Sequence, residues 1–223
     1  MVAVYCAYNP PYVILLMIVN MQKDFQTATD FLTRLDNDWA NLIVTVGACT
    51  FVSKPEREPY EALVRAVAYQ QLHGKAGDAI IRRFLQVYDY TFPTPDQLLT
   101  TDFDTLRACG FSGRKIETIK GIAEGALSGL VPARDVADAM PDEELIQRLV
   151  ALKGIGRWTV EMLLIFTMQR MDILPADDLG VVEGYKRLKN LGAAPKRQEI
   201  NEIAKAWSPH RTIASWYLWQ VPK

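Results

Sequence analysis

The sequence predicts an all-α protein. Apolar residues recur at helical spacing from Asp24 to the C-terminal end, helix-opening and helix-closing residues punctuate that stretch, and alternating strand patterns are scarce. The 223 residues are 49% apolar and 23% charged, enough to bury a proper core and enough to exclude disorder or a fibrous repeat. Lys plus Arg number 25 against 26 Asp plus Glu, a net charge of -1. That balance excludes a polybasic tail protein but leaves room for a local cationic face. Cys6, Cys49 and Cys109 are too few and too scattered for a disulfide framework, a zinc site or a four-cysteine cluster, which suits a reducing compartment.

Residues 1–20 carry no charge, and their longest apolar run, Tyr12–Val19, is far too short to span a bilayer. A signal peptide would want a basic start and a small-residue cleavage site, and neither is evident. We expect an N-terminal extension over 1–20, ahead of a start at Met21 and one domain over 21–223. Tyr60, Leu63, Val64, Val67 and Ala68 form one face of a helix running to about Leu72. Ile80, Phe84 and Val87 make one seam of the next helix, and Ile81, Leu85 and Tyr88 a second. Pro95 opens a short helix, and Ser112 caps another through Leu127 that Gly129 closes. Pro141 followed by Asp142, Glu143 and Glu144 is a strong helix start, because three carboxylates complement the positive end of the dipole. The helix after Gly156 is apolar all round over Met162–Phe166, which marks it as central and buried. Two more helical stretches follow, Leu179–Leu191 and Lys196–Trp219, the latter interrupted at Pro209. Leu42–Phe51 has strand-like composition, but a lone strand lacks a pairing partner.

The most specific local feature is Leu152-Lys153-Gly154-Ile155-Gly156-Arg157-Trp158-Thr159. Two glycines spaced by one residue permit positive φ and let backbone amides approach an anion at the start of the next helix. A plain helix–helix corner would use the same residues. Twenty residues beyond Trp158 lies Asp178, in Leu174-Pro175-Ala176-Asp177-Asp178. Capping a helix is the usual job of such a pair, and a second role is compatible with it, Asp177 capping and Asp178 left free.

The LKGIGRWT string resembles the helix-hairpin-helix of the DNA glycosylase superfamily, and LPADD resembles its Gly/Pro-rich loop with an essential aspartate. Over residues 40–221 the order of motifs is similar to the alkylpurine branch, DNA-3-methyladenine glycosylase II; it includes YQQLHGKA, Cys109–Ala123 and HRTIASWYLW. The resemblance implies two helical subdomains flanking a DNA-facing cleft, with the hairpin over about 142–170 and the catalytic loop over 171–178. It implies a monofunctional enzyme that hydrolyses the N-glycosidic bond of alkylated purines in base excision repair. Asp178 would stabilise positive charge developing on the sugar. Bifunctional relatives carry a lysine where Trp158 stands, and tryptophan cannot form a Schiff base.

Trp158 and Trp216, with Met162 and Leu179, would line the base pocket, since an indole face attracts a cationic alkylpurine. Trp207 and Trp219 read as core. Met162, Leu179 and Gly180 depart from the larger or aromatic residues of some relatives, which implies a wider pocket. Val182-Glu183 replaces basic residues that close relatives tend to have, removing a phosphate contact. The amides of Gly154, Gly156 and Thr159 would hold DNA backbone, with Lys153 and Arg157 adding positive potential. Lys186, Arg187 and Lys189 would add to it or form a solvated helix face. Leu72 and His73 match the wedge that fills the gap left by a flipped base, or form a solvated loop. No cofactor is expected for catalysis; the family's structural Na+ or K+ would bind the carbonyls of Val150, Leu152 and Ile155. The expected partner is double-stranded DNA with a damaged base, not a membrane or an obligate protein, and the chain would act as a monomer in the bacterial nucleoid or a nucleus. Two rival readings are a non-catalytic lesion-binding protein and a glycosylase for oxidised or deaminated bases.

Overall fold

The computed structural model describes residues 24–72 and 74–222. The extension expected at 1–20, the start at Met21, and His73 therefore lie outside the described residues. The described residues form helices joined by turns, with no strand among them. They divide into two compact units: 24–51 with 176–222, and 52–175.

The first unit begins with α1 (24–33) and α2 (Asn37–Val46). Asp36 opens α2 by accepting the amides of Asp38 and Trp39 at 3.0 and 3.1 Å. The strand-like run from Leu42 is thus helical as far as Val46, because a capped start and a buried Trp39–Leu42 face override composition. The unit continues with α11 (Leu179–Leu188), α12 (Arg197–Ile203), a 3-10 turn at Ala204–Trp207 and α13 (Arg211–Trp219). Trp207 is buried against the edges of Trp39 and Tyr185, in the core role read from the sequence. Helices α11 and α13 touch backbone to side: a Cβ on Gly184 would lie 2.2 Å from the carbonyl oxygen of Leu218. Tyr217 donates its hydroxyl to the Gly47 carbonyl at 3.0 Å, tying α13 to the end of α2.

The second unit holds α3 (Pro59–Tyr69), α4 (Gly74–Val87), α5 (Pro95–Thr100), α6 (Phe103–Ala108), α7 (Gly113–Ser128), α8 (Arg134–Ala139), α9 (Asp142–Leu149) and α10 (Arg157–Phe166). Its caps follow the sequence. Thr94 and Gln97 form a capping box ahead of Pro95, Ser112 accepts the Lys115 amide, and Gly129 closes α7 at φ +80°. Phe84 sits at the centre, with the rings of Tyr88, Phe92 and Phe111 edge-on around it. Cationic side chains finish several helix ends. Arg148 donates to the carbonyls of Gly129 and Leu130, Lys120 to Leu99 and Thr101, and Lys115 to Ala68 and Gln70. The last carbonyls of a helix lack intrahelical donors, and positive charge suits that end of the dipole.

Candidate nucleic-acid and base-excision site

In the second unit, α9 and α10 form a helical hairpin around the turn 150–156. Gly154 is the residue that requires glycine. Its φ is +86°, and a Cβ there would meet the Thr118 hydroxyl of α7 at 2.3 Å. Gly156 differs from expectation: at φ -93° it is an ordinary extended N-cap for α10. A Cβ at Gly156 would meet nothing within 4 Å, so this side of the turn is open. The Leu152 carbonyl accepts the Ile155 amide at 3.1 Å inside the turn. Val150, half-buried, is the C-cap of α9.

Two of the residues assigned to the DNA backbone are engaged within the protein. Thr159 is buried, its amide donates to the Gly156 carbonyl at 3.0 Å, and its hydroxyl accepts from Gln70 at 3.4 Å. Arg157 is a strut. Its guanidinium donates to both oxygens of Glu143 on α9 at 2.9 and 2.6 Å, and to Glu161 on α10 at 2.9 Å. Hydrogen bonding to Glu143 first, then Glu161, holds Arg157 protonated far above the ordinary arginine range. Two carboxylates cancel the field it was expected to supply. Lys153 remains exposed, with only a surface pair to Glu117 at 2.9 Å.

Trp158, in the first turn of α10, is 38% exposed. Met162 lies one turn further along the same face and lines a cavity of about 190 Å³ with Arg57, Arg65, Tyr69 and Phe166. At the end of α3, Gln71 takes a left-handed φ of +57°, and the Leu72 amide closes a turn on the Tyr69 carbonyl at 3.1 Å. This leaves Leu72 42% exposed. Gln70 reaches from the same turn to the Gly154 carbonyl at 3.3 Å.

In the first unit the helix cap is Asp178, not Asp177 as expected. Asp178 is the N-cap of α11, accepting the Val181 amide at 3.0 Å, whereas Asp177 pairs with Arg197 at 2.6 Å. The Asp178 Oδ1 also accepts the indole N–H of Trp219 at 2.8 Å. Trp219 is therefore not simply core, and the sequence reading missed it. Gly180 admits it: a Cβ there would lie 2.6 Å from Trp219 Cδ1 and 2.9 Å from Asp178 Oδ1. A glycine two places after an acid was the available signal. Trp216 is half-buried, with its ring edge-on to Tyr217, and Leu179 is 77% exposed. Of the distal basic residues, Lys189 is occupied by Asp36 and Asp38 at 2.6 and 2.8 Å, and Lys186 lies 3.7 Å from Glu183. Among the described residues, no cluster of three His, Cys, Asp or Glu could hold a metal ion, and no helix is long and apolar enough to cross a membrane.

A family model described as HhH-GPD superfamily base excision DNA repair protein matches residues 64–210. The chain is 47% identical to DNA-3-methyladenine glycosylase 1 of Schizosaccharomyces pombe over 194 residues, covering 86% of this chain and 85% of that one. It is 41% identical to the alkylbase DNA glycosidase-like protein mag2 of the same organism, covering 92% and 97% respectively. Among solved structures, the 3-methyladenine DNA glycosylase of S. pombe in complex with abasic DNA superposes with a TM-score of 0.82 at 47% identity, covering 87% of this chain and 95% of that one.

Proposed function

The chain belongs to the HhH-GPD superfamily of base excision DNA repair proteins, and from that premise we propose that it hydrolyses the N-glycosidic bond of alkylated purines such as 3-methyladenine in duplex DNA. The observation that carries this is the Asp178 carboxylate, held at a helix N-terminus by the Val181 amide and the Trp219 indole. Alkylation at a ring nitrogen makes the purine cationic and a good leaving group. The C1′–N bond breaks with its electron pair going to the base, and positive charge develops on the sugar. Asp178 stabilises that charge, which exists only in the transition state. Water then bonds to C1′ and loses a proton, leaving an abasic site.

Of the residues assigned to the cationic base, Trp158 and Met162 belong to the second unit and Trp216 and Leu179 to the first; an indole face suits a cation. Without a lysine at the Trp158 position there is no amine there for a Schiff base, so strand cleavage does not accompany base release. Leu72 enters the gap left by the extruded nucleotide, whose unpairing costs a few kcal/mol. Gly154, Gly156 and Lys153 face the DNA backbone. The carbonyls of Val150, Leu152 and Ile155 are neutral oxygen donors, a set that suits a hard cation such as Na+ or K+. These carbonyls would hold the cation, which would supply positive charge at the hairpin and take no part in the chemistry. The enzyme works as a monomer wherever cellular DNA lies, nucleus or nucleoid.

Asp178→Asn tests the mechanism cleanly, because the amide oxygen can still accept from Val181 and Trp219 while the charge is gone. Release of 3-methyladenine should be abolished while duplex binding survives; unchanged release would overturn the role of Asp178. A panel of duplexes carrying 3-methyladenine, 7-methylguanine, hypoxanthine and 8-oxoguanine separates this reading from its two rivals.

A further inference from the structure

We infer that Lys115 is a positioning residue for base extrusion, holding the Leu72 turn in fixed relation to the hairpin turn; this rests on the excision reading above. A wedge is effective only if it keeps its place while the duplex pushes back, so its supports matter as much as its tip. The turn that presents Leu72 is an unfavourable one for the chain by itself. It follows the end of α3, where backbone carbonyls lack intrahelical donors, and it passes through a left-handed Gln71.

Lys115 answers both problems. Its ammonium donates to the Ala68 carbonyl at 3.0 Å and the Gln70 carbonyl at 2.9 Å, gripping the chain on either side of the helix end. Gln70, so fixed, extends its side-chain amide to the Gly154 carbonyl at 3.3 Å and the Thr159 hydroxyl at 3.4 Å. Thr118, one turn along α7 from Lys115, packs under Gly154 so closely that a Cβ there would sit 2.3 Å from its hydroxyl. One face of α7 thus holds two turns at once: the turn of the proposed wedge and the turn of the proposed backbone grip. Burial pushes the Lys115 ammonium below the ordinary lysine range, so this cation is kept half-buried at some cost in solvation.

A helix-end cap could serve folding alone, and α7 supplies the comparison. Lys120 grips the end of α5 in the same way, at 3.1 Å from the Leu99 carbonyl and 2.8 Å from that of Thr101, with no link to the Leu72 turn. The experiment measures single-turnover release of 3-methyladenine from two duplexes, one with the lesion paired to thymine and one with it opposite an abasic analogue, where there is no pair to open. Lys115→Met should slow release from the paired duplex by roughly ten- to a hundredfold, the loss expected for hydrogen bonds to a charged group. On the unpaired duplex it should stay within about threefold of wild type. Lys120→Met should lower the melting temperature comparably and leave both rates near wild type. Gln70→Met cuts the other end of the same brace and should repeat the Lys115→Met pattern if that variant does not fold. Equal slowing on both duplexes, no slowing on the paired one, or the same pattern from Lys120→Met would overturn the positioning role. Wild-type protein that releases base from neither duplex would instead overturn the excision reading itself, and the positioning role with it.

Discussion

Replacing Gly180 with alanine should disable the enzyme without unfolding it. The new Cβ would stand 2.6 Å from Trp219 Cδ1, 3.1 Å from Trp219 Nε1 and 2.9 Å from Asp178 Oδ1, all nearer than ordinary carbon contacts. The indole has to move, and its 2.8 Å hydrogen bond to Asp178 is the interaction that gives way. A hydrogen bond to a charged acceptor contributes about 1.5–3 kcal/mol, so if the bond orients the acid in the transition state, release slows by roughly ten- to a hundredfold. Stability should change far less. Gly180 sits in the first turn of α11, where alanine is favoured over glycine by up to about 1 kcal/mol, offsetting part of the lost contact. The assay is single-turnover release of 3-methyladenine alongside a thermal melt. Gly121→Ala serves as control, because its Cβ would meet nothing within 4 Å. Trp219→Phe removes the indole N–H without a clash and should match Gly180→Ala in rate. If both variants release base at the wild-type rate, the Trp219–Asp178 bond does not hold the acid.

Two further substitutions probe the hairpin. Gly154→Ala combines a left-handed backbone with a contact on Thr118 and should lose about 2–5 kcal/mol in chemical denaturation; adding Thr118→Ala should recover only the contact part, and wild-type stability in the single variant would refute the account of the turn. Arg157→Met removes the strut between α9 and α10 from Glu161, which is only 3% exposed, and should cost about 2–4 kcal/mol. Arg157→Lys should restore less than half of that melting-temperature loss, since one ammonium cannot reproduce the two-pronged grip on Glu143 and the bond to Glu161.

The helices that were legible in the sequence announce themselves within a few residues. Ser112 and Gly129 bracket α7, Thr94-Pro95 opens α5, and Pro141 with three following carboxylates opens α9. The short helices α6 and α8, six residues each, have too little periodicity to register. The expected helix to Leu191 stops at Leu188. At the candidate site, the bonding of the residues was not legible. Arg157 displays a positive charge in the sequence; that Glu143 and Glu161 neutralise it depends on how two helices meet. The partnership of Asp178 with Trp219 spans 41 residues of chain and depends on a side chain that Gly180 lacks.

Reading Asp178 as either a helix cap or a catalytic acid sets up a false choice. A carboxylate that stabilises a cation appearing only in the transition state gains nothing from mobility, because any reorientation at that moment adds to the barrier. Two donors, the Val181 amide and the Trp219 indole, converge on its Oδ1 and fix the plane and direction of the group before substrate arrives. The cap is then part of the proposed chemistry. The same economy would govern the second unit, where Lys115 caps a helix end next to the proposed wedge. In both places, on this proposal, a residue needed to end or begin a helix would also decide where a functional group points.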